Sequence, residues 1–121
     1  MYRSTVSRAA AACVLALAAA GTARAADCRE GPGDWRAGGA IYHRTCVACH
    51  GADGRGARRG VPDLTSGVMA YSSTSLAAHI ERGFRAPGRP LAMPPKGGNP
   101  DLTADDVINV IAYLHHAFGC G

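Results

Sequence analysis

Cys46-Val47-Ala48-Cys49-His50 places two thiols three positions apart with an imidazole directly after them, and the rest of the chain is read outward from this stretch. Upstream, Asp34 is suited to cap a helix in which Trp35, Ile41, Tyr42 and Thr45 recur at helical spacing, which predicts a helix over 34–49 ending at the motif. Gly38 and Gly39 lower its intrinsic propensity by ~1.5–2 kcal/mol against alanine, and such a pair points to close approach of another backbone. Downstream, Gly51 to Gly60 carries four glycines and no apolar periodicity, so it is loop, and Val61-Pro62-Asp63-Leu64 continues it in extended form. A short helix is expected at 74–82, capped by Ser73 or Thr74, with Leu76 and Ile80 on one face and Gly83 as its stop. Arg85 to Pro100 is broken by Pro87, Pro90, Pro94 and Pro95 and is expected to hold neither helix nor central strand. Thr103 then caps the strongest helix, in which Asp105 and Asp106 favour the N-terminus and Val107, Ile111, Leu114 and Phe118 form one stripe, and Gly119 closes it.

The whole is a chain of 121 residues, 47% hydrophobic, which implies one small domain. Residues 1–25 read as a secretory signal: Arg3 and Arg8 open it, Ala9 to Ala20 is apolar, and Ala23-Arg24-Ala25 fits a cleavage site. The domain then occupies 26–121. Losing Arg3, Arg8 and Arg24 leaves 10 basic against 9 acidic residues, so the formal charge drops from +4 to +1. Arg55, Arg58 and Arg59 lie in a Gly-rich loop without interleaved aromatics, a pattern that does not call for nucleic acid and reads as a solvated loop or a patch for an acidic redox partner. The apolar stretch of the leader is too short to span a bilayer, so no membrane insertion is expected after cleavage.

C-x-x-C-H is the attachment signature for haem c: two thiols on one edge of a turn add to the two vinyl groups of one porphyrin, and His50 reaches the iron. A dithiol redox site would need a reactive cysteine opening a helix, and a zinc site would need a second ligand pair that Cys28 and Cys120 are too scattered to form. Met93, in Leu91-Ala92-Met93-Pro94-Pro95, sits in a stiff extended loop that could present its thioether to the same iron, so the candidate metal ligands are His50 and Met93, with Met69 as the substitute. Of the histidines, His43 is expected on the surface of the first helix, His79 on the polar side of the middle helix, and His115 and His116 in the last turn of the final helix. Arg85, Arg89 and Lys96 are candidates to pair with a haem propionate. Trp35 is expected to pack between helices.

On these residues, and on Met93-Pro94-Pro95-Lys96-Gly97-Gly98-Asn99 followed by Leu102-Thr103, the chain resembles the class I cytochromes c, and in particular short bacterial members related to cytochrome c5. The resemblance implies an all-α fold of three to four helices with long Gly/Pro-rich loops around one covalent haem. It implies that Gly38 lets the first helix cross the last, with Tyr42 and Tyr113 as the partner aromatics. It also implies that Pro62 offers its carbonyl to the His50 imidazole. In that fold Cys28 and Cys120 flank the two crossing helices, so a disulfide between them is expected.

The function expected is that of a periplasmic single-electron carrier working with donor and acceptor proteins, and not an enzyme. Two alternatives remain open at this level: a subunit of a periplasmic dehydrogenase, and a haem enzyme with an open sixth position in which His79 would serve as the distal acid–base group.

Overall fold

The computed structural model describes residues 31–119; the leader expected at residues 1–25 and the expected Cys28–Cys120 disulfide lie outside them. Among the described residues five α-helices follow in order: α1 (Trp35–Thr45), α2 (Val47–His50), α3 (Leu64–Gly67), α4 (Ser73–Arg82) and α5 (Ala104–Leu114). Among the described residues there is no strand, only a single antiparallel bridge between Phe84 and Met93. The expected all-α class is therefore the observed one.

Local chemistry sets each helix. The Asp34 side chain accepts from the backbone N–H groups of Arg36 and Ala37, as an N-cap should. Thr103 and Asp106 exchange hydrogen bonds in a capping box at the start of α5. Ser72 rather than Ser73 or Thr74 caps α4, accepting from the Ser75 N–H at 3.1 Å. The expected helix over 34–49 is interrupted at Cys46, after which the single turn α2 carries Val47 to His50. At the other end of the chain α5 widens into a π-type turn over His115–Gly119 instead of running on regularly.

Two stretches expected to be without helix contain short turns. Asp63 caps α3, its carboxylate accepting from the Thr65 N–H at 2.8 Å and the Thr65 hydroxyl at 2.6 Å, so the extended stretch stops at Asp63 and Leu64 is already helical. Pro95–Gly98 forms a 3₁₀ turn in which Lys96 takes a left-handed φ of 54° and Gly97 one of 62°. The prolines rule out a regular helix there but not one tight turn.

The core is the crossing of α1 and α5. Ile41, Tyr42, Val107, Val110, Ile111 and Leu114 are all buried. Gly38 is the contact point: a Cβ built there would stand 1.8 Å from the carbonyl oxygen of Asn109 and 3.0 Å from Cβ of Tyr113. Only a residue without a side chain allows the two backbones that close. The Asn109 side-chain oxygen accepts from the Asp34 N–H at 2.8 Å, fixing the rotation of one helix on the other. The aromatic rings of Tyr42 and Tyr113 meet at 5.1 Å, and Phe118, delivered by the π-type turn, meets Tyr42 at 5.6 Å. Val68, Leu76, Ile80 and Leu102 extend the core away from the crossing. Between them and α1 the packing leaves a large hollow.

Candidate haem-binding site

That hollow is a cavity of about 360 Å³ whose wall includes Cys46, His50, Pro62, Val68, Leu76, Ile80, Leu102 and Met93. A second, smaller hollow of about 80 Å³ is lined by Cys46, Cys49, His50, Pro62 and Met93 together with Gly60 and Leu91. Residues 43 positions apart in sequence, His50 and Met93, thus face the same space. Apolar side chains dominate its wall.

One side is built by α1 and α2. The Tyr42 side chain, 0% exposed, donates its hydroxyl to the Gly51 carbonyl at 2.6 Å, and this ties the residue after His50 to the core. Backbone bonds from Gly56 N–H to the His50 carbonyl and from Ala57 N–H to the Cys49 carbonyl, both 2.8 Å, fold the Gly-rich loop back under the motif. Cys46 and Cys49 are free thiols. Burial, and next the neighbouring Cys49, push the Cys46 thiol up to about 11, so it stays protonated at neutral pH and is unlike the low-pKa cysteine of a dithiol oxidoreductase. Burial also holds the His50 imidazole below its usual range, which keeps it neutral and its lone pair available.

The His50 Nδ1 atom is buried without a hydrogen-bond partner. Pro62 lies in the same wall, but its carbonyl does not accept from this nitrogen here, so the expected orienting bond is not formed although the two residues are neighbours in the site. The Asp63 cap and the bond from Leu64 N–H to the Gly54 carbonyl, 2.8 Å, anchor the backbone just past Pro62.

The Met93 side is built without a long helix. Phe84 and Met93 exchange two backbone hydrogen bonds, Phe84 N–H to Met93 carbonyl at 3.0 Å and Met93 N–H to Phe84 carbonyl at 2.8 Å. Gly83, with φ of 82°, ends α4 and turns the chain into this bridge; a Cβ there would lie 2.7 Å from the Met93 carbonyl oxygen. After Met93, Asn99 donates its side-chain amide to the Thr45 hydroxyl at 3.3 Å, which closes the loop onto the end of α1. The thioether is carried by a pinned backbone.

The match to known proteins agrees with this geometry. Residues 33–114 match the family model described as cytochrome c oxidase, cbb3-type, subunit III. The chain is 36% identical over 69 residues to cytochrome c-554(548) of Halomonas halodenitrificans, covering 57% of this chain and 80% of that protein. It is 35% identical over 83 residues to cytochrome c-555 of Prosthecochloris aestuarii, covering 64% of this chain and 81% of that protein. It belongs to the cytochrome c family. A further relative, the cbb3-type cytochrome c oxidase subunit CcoP of Rhodobacter capsulatus, is 29% identical over 86 residues, or 69% of this chain but 29% of that protein. No solved structure matches the chain significantly.

This cytochrome therefore carries covalent haem c with its iron, and it is an electron-transfer protein. The residues present suit the group: two free thiols at one edge, a neutral imidazole with an unsatisfied buried nitrogen, a thioether, and a wall of apolar side chains.

Several sequence expectations need correction. His79 is not on a polar, solvent-facing side of α4: it lines the cavity, stacked on Phe84 at 3.8 Å with the Tyr71 ring edge-on at 4.9 Å, because the loop after Gly83 folds back over that helix. Arg89 and Lys96 line the cavity, whereas Arg85 donates to the Pro90 carbonyl at 2.9 Å and braces its own loop. His43 is exposed on α1 as expected. Trp35 stacks on His116 at 3.9 Å with the Arg36 guanidinium over its ring, so it joins the two helices. The side chain of Met69 lies outside the described residues. Phe84 and Gly83 went unrecognised as parts of the site. Gly83 carried a signal, since a helix-terminating glycine sets where the next segment can go, but its pairing with Met93 is nonlocal and no sequence pattern announces it.

Proposed function

We propose that this cytochrome is a periplasmic single-haem electron carrier in which His50 and Met93 are the protein ligands of the iron, with Cys46 and Cys49 as the thioether attachments. The observation that carries the reading is that His50 and Met93 line one apolar cavity while the Met93 backbone is pinned to Phe84 by two hydrogen bonds. When bound, the haem supplies an iron that alternates between ferrous and ferric states and so stores one electron. The chain's own residues do the rest. Tyr42 and the Gly51–Ala57 turn hold the imidazole side, the Phe84 bridge holds the thioether side, and the apolar wall excludes water from between them. Among the described residues no helix is long and apolar enough to cross a membrane, and the leader at residues 1–25 supports export.

The test is spectroscopic. Oxidised protein is expected to show the weak near-infrared thioether-to-iron band, and Met93→Ala should abolish it and lower the reduction potential by on the order of a hundred millivolts, a fraction of the ~0.8 V that axial ligation spans. A band that survives in Met93→Ala would assign the ligand elsewhere. The proposed Cys28–Cys120 disulfide is checked by mass spectrometry before and after reduction.

A second reading, a subunit of a larger respiratory assembly, draws on the likeness to CcoP. The free carrier is favoured because the alignments cover 80% and 81% of cytochromes c-554(548) and c-555 but 29% of CcoP. Size-exclusion of native extracts separates the two: elution with a large complex would overturn the free-carrier reading.

A further inference from the structure

The bridge that presents Met93 is short for the task it has. Two antiparallel backbone bonds join Phe84 and Met93, at 3.0 Å and 2.8 Å, and the bridge is an isolated one. Such a pair does not hold itself together in water, since even a full two-stranded hairpin is marginal there. Arg85 braces the turn between the two residues by donating to the Pro90 carbonyl at 2.9 Å, but that bond stays within the loop. The Phe84 side of the bridge is tied to a packed helix through a side chain instead. The His79 imidazole lies on the Phe84 ring, with centroids 3.8 Å apart and planes inclined by 21°.

His79 stands on firm backbone. It precedes Ile80 on α4, a helix that buries Leu76 and Ile80 in the core and is capped by the Ser72 hydroxyl. Tyr71, just ahead of that cap, is edge-on to both rings, 4.9 Å from His79 and 6.1 Å from Phe84. The three rings thus form one cluster, in the stacked and edge-to-face arrangements that aromatic pairs favour. All three line the cavity that Met93 also lines. None of them is fully buried, and Tyr71 is 41% exposed. The cluster therefore stands between the cavity and solvent, on the side from which Phe84 holds Met93.

We propose that His79 is a positioning residue for Met93: its imidazole, stacked on Phe84, clamps the Phe84–Met93 bridge to α4, which keeps the thioether in place and small external ligands out of the cavity. The inference rests on the reading of Met93 as an iron ligand. His79 acts through Phe84 rather than on the iron. For the loop to swing outward, two flat faces held 3.8 Å apart must separate and take up water, and the edge contacts of Tyr71 with both are lost as well. An electron carrier gains twice from such a clamp: its ligand set is the same in both oxidation states, and no outside molecule competes for the sixth position.

The experiment mixes reduced full-length holoprotein with carbon monoxide, a probe too small to fill the space of a lost ring. His79→Ala is expected to raise the rate and affinity of carbon monoxide binding by roughly two- to tenfold, the factor that losing one aromatic pair implies. The same variant should weaken the near-infrared thioether band of the oxidised protein. His79→Phe, which keeps a flat ring at the position, should restore both readouts to their wild-type values. Phe84→Ala and the double variant complete a cycle: two rings acting as one clamp predict that the double variant binds carbon monoxide no faster than Phe84→Ala alone. Thr103→Ala lowers stability at the cap of α5 and should leave carbon monoxide binding unchanged, which separates a local clamp from general loosening. Wild-type binding by His79→Ala, additive effects in the cycle, His79→Phe behaving like the alanine variant, or an equal rise in Thr103→Ala would each overturn the clamp while the band of the wild type still stands. Failure of the Met93 reading looks different. The wild type would then lack the band and bind carbon monoxide as readily as Met93→Ala, and both the ligand assignment and the clamp built on it would fall.

Discussion

Where α1 crosses α5, the backbones are so close that a Cβ at Gly38 would stand 1.8 Å from the Asn109 carbonyl oxygen, whereas the segment presenting Met93 is held by two backbone hydrogen bonds to Phe84 and the turn at Gly83. The imidazole side of the site belongs to the first region and the thioether side to the second. The first is an interdigitated core in which every displacement disturbs buried rings. The second is a loop pinned at a few points. Contrasting support of this kind teaches that the two candidate ligands should fail separately: the loop can let go while the helices stay packed.

The largest expected effect tests the rigid half. Gly38→Val should destabilise by at least about 3 kcal/mol, since the clash is with backbone that cannot rotate away. On a domain of this size that lowers Tm by roughly 12 °C or more, read by circular dichroism. A near-normal Tm would mean that the helices can part without loss. Gly83→Val tests the other half. Its φ of 82° and the 2.7 Å approach to the Met93 carbonyl predict about 1–3 kcal/mol of strain. The helical circular dichroism should persist while the near-infrared thioether band weakens and the reduced protein begins to bind carbon monoxide. Loss of helix together with the band would show that the two regions form one cooperative unit.

Smaller changes sharpen the picture. Tyr42→Phe removes the hydroxyl that donates to the Gly51 carbonyl and should lower stability by about 1.5 kcal/mol without changing the band, because the defect lies on the imidazole side. Thr103→Ala, at the cap of α5, should cost about 1 kcal/mol at neutral pH. It carries a pH signature as well. The Thr103 backbone N–H, then its hydroxyl, hold the Asp106 carboxyl below the usual carboxylate range. A depressed pKa in the fold means stability present above the unfolded value of about 4 and lost as pH falls through the folded one. Thr103→Ala should therefore flatten the decline in Tm between about pH 5 and pH 3.

The regions also differed in how far the sequence disclosed them. Helix α5 was legible from the capping pair Thr103 and Asp106 and the stripe Val107, Ile111 and Leu114, because a cap and a 3.6-residue period are local signals. Gly38 announced a close crossing, and Tyr42 and Tyr113 were found at it. The stretch after Val61 hid a capped turn that Asp63-Leu64-Thr65 could have revealed. His79 was misjudged because the side of a short helix that becomes a wall depends on what folds over it. Here that cover is Phe84, brought back by Gly83.

By itself, the sequence determined the chemistry: two thiols and an imidazole at fixed spacing, a methionine in a proline-stiffened loop, and the helices that carry or flank them. These follow from covalent neighbours and from periods of a few residues. Only the tertiary structure decided that His50 and Met93 share one cavity, that Phe84 pairs with Met93, and that Gly60 comes beside Pro90 and Leu91. Such pairings join residues some ten to forty positions apart, and their geometry is set by how the packed helices let the intervening Gly/Pro-rich loops close.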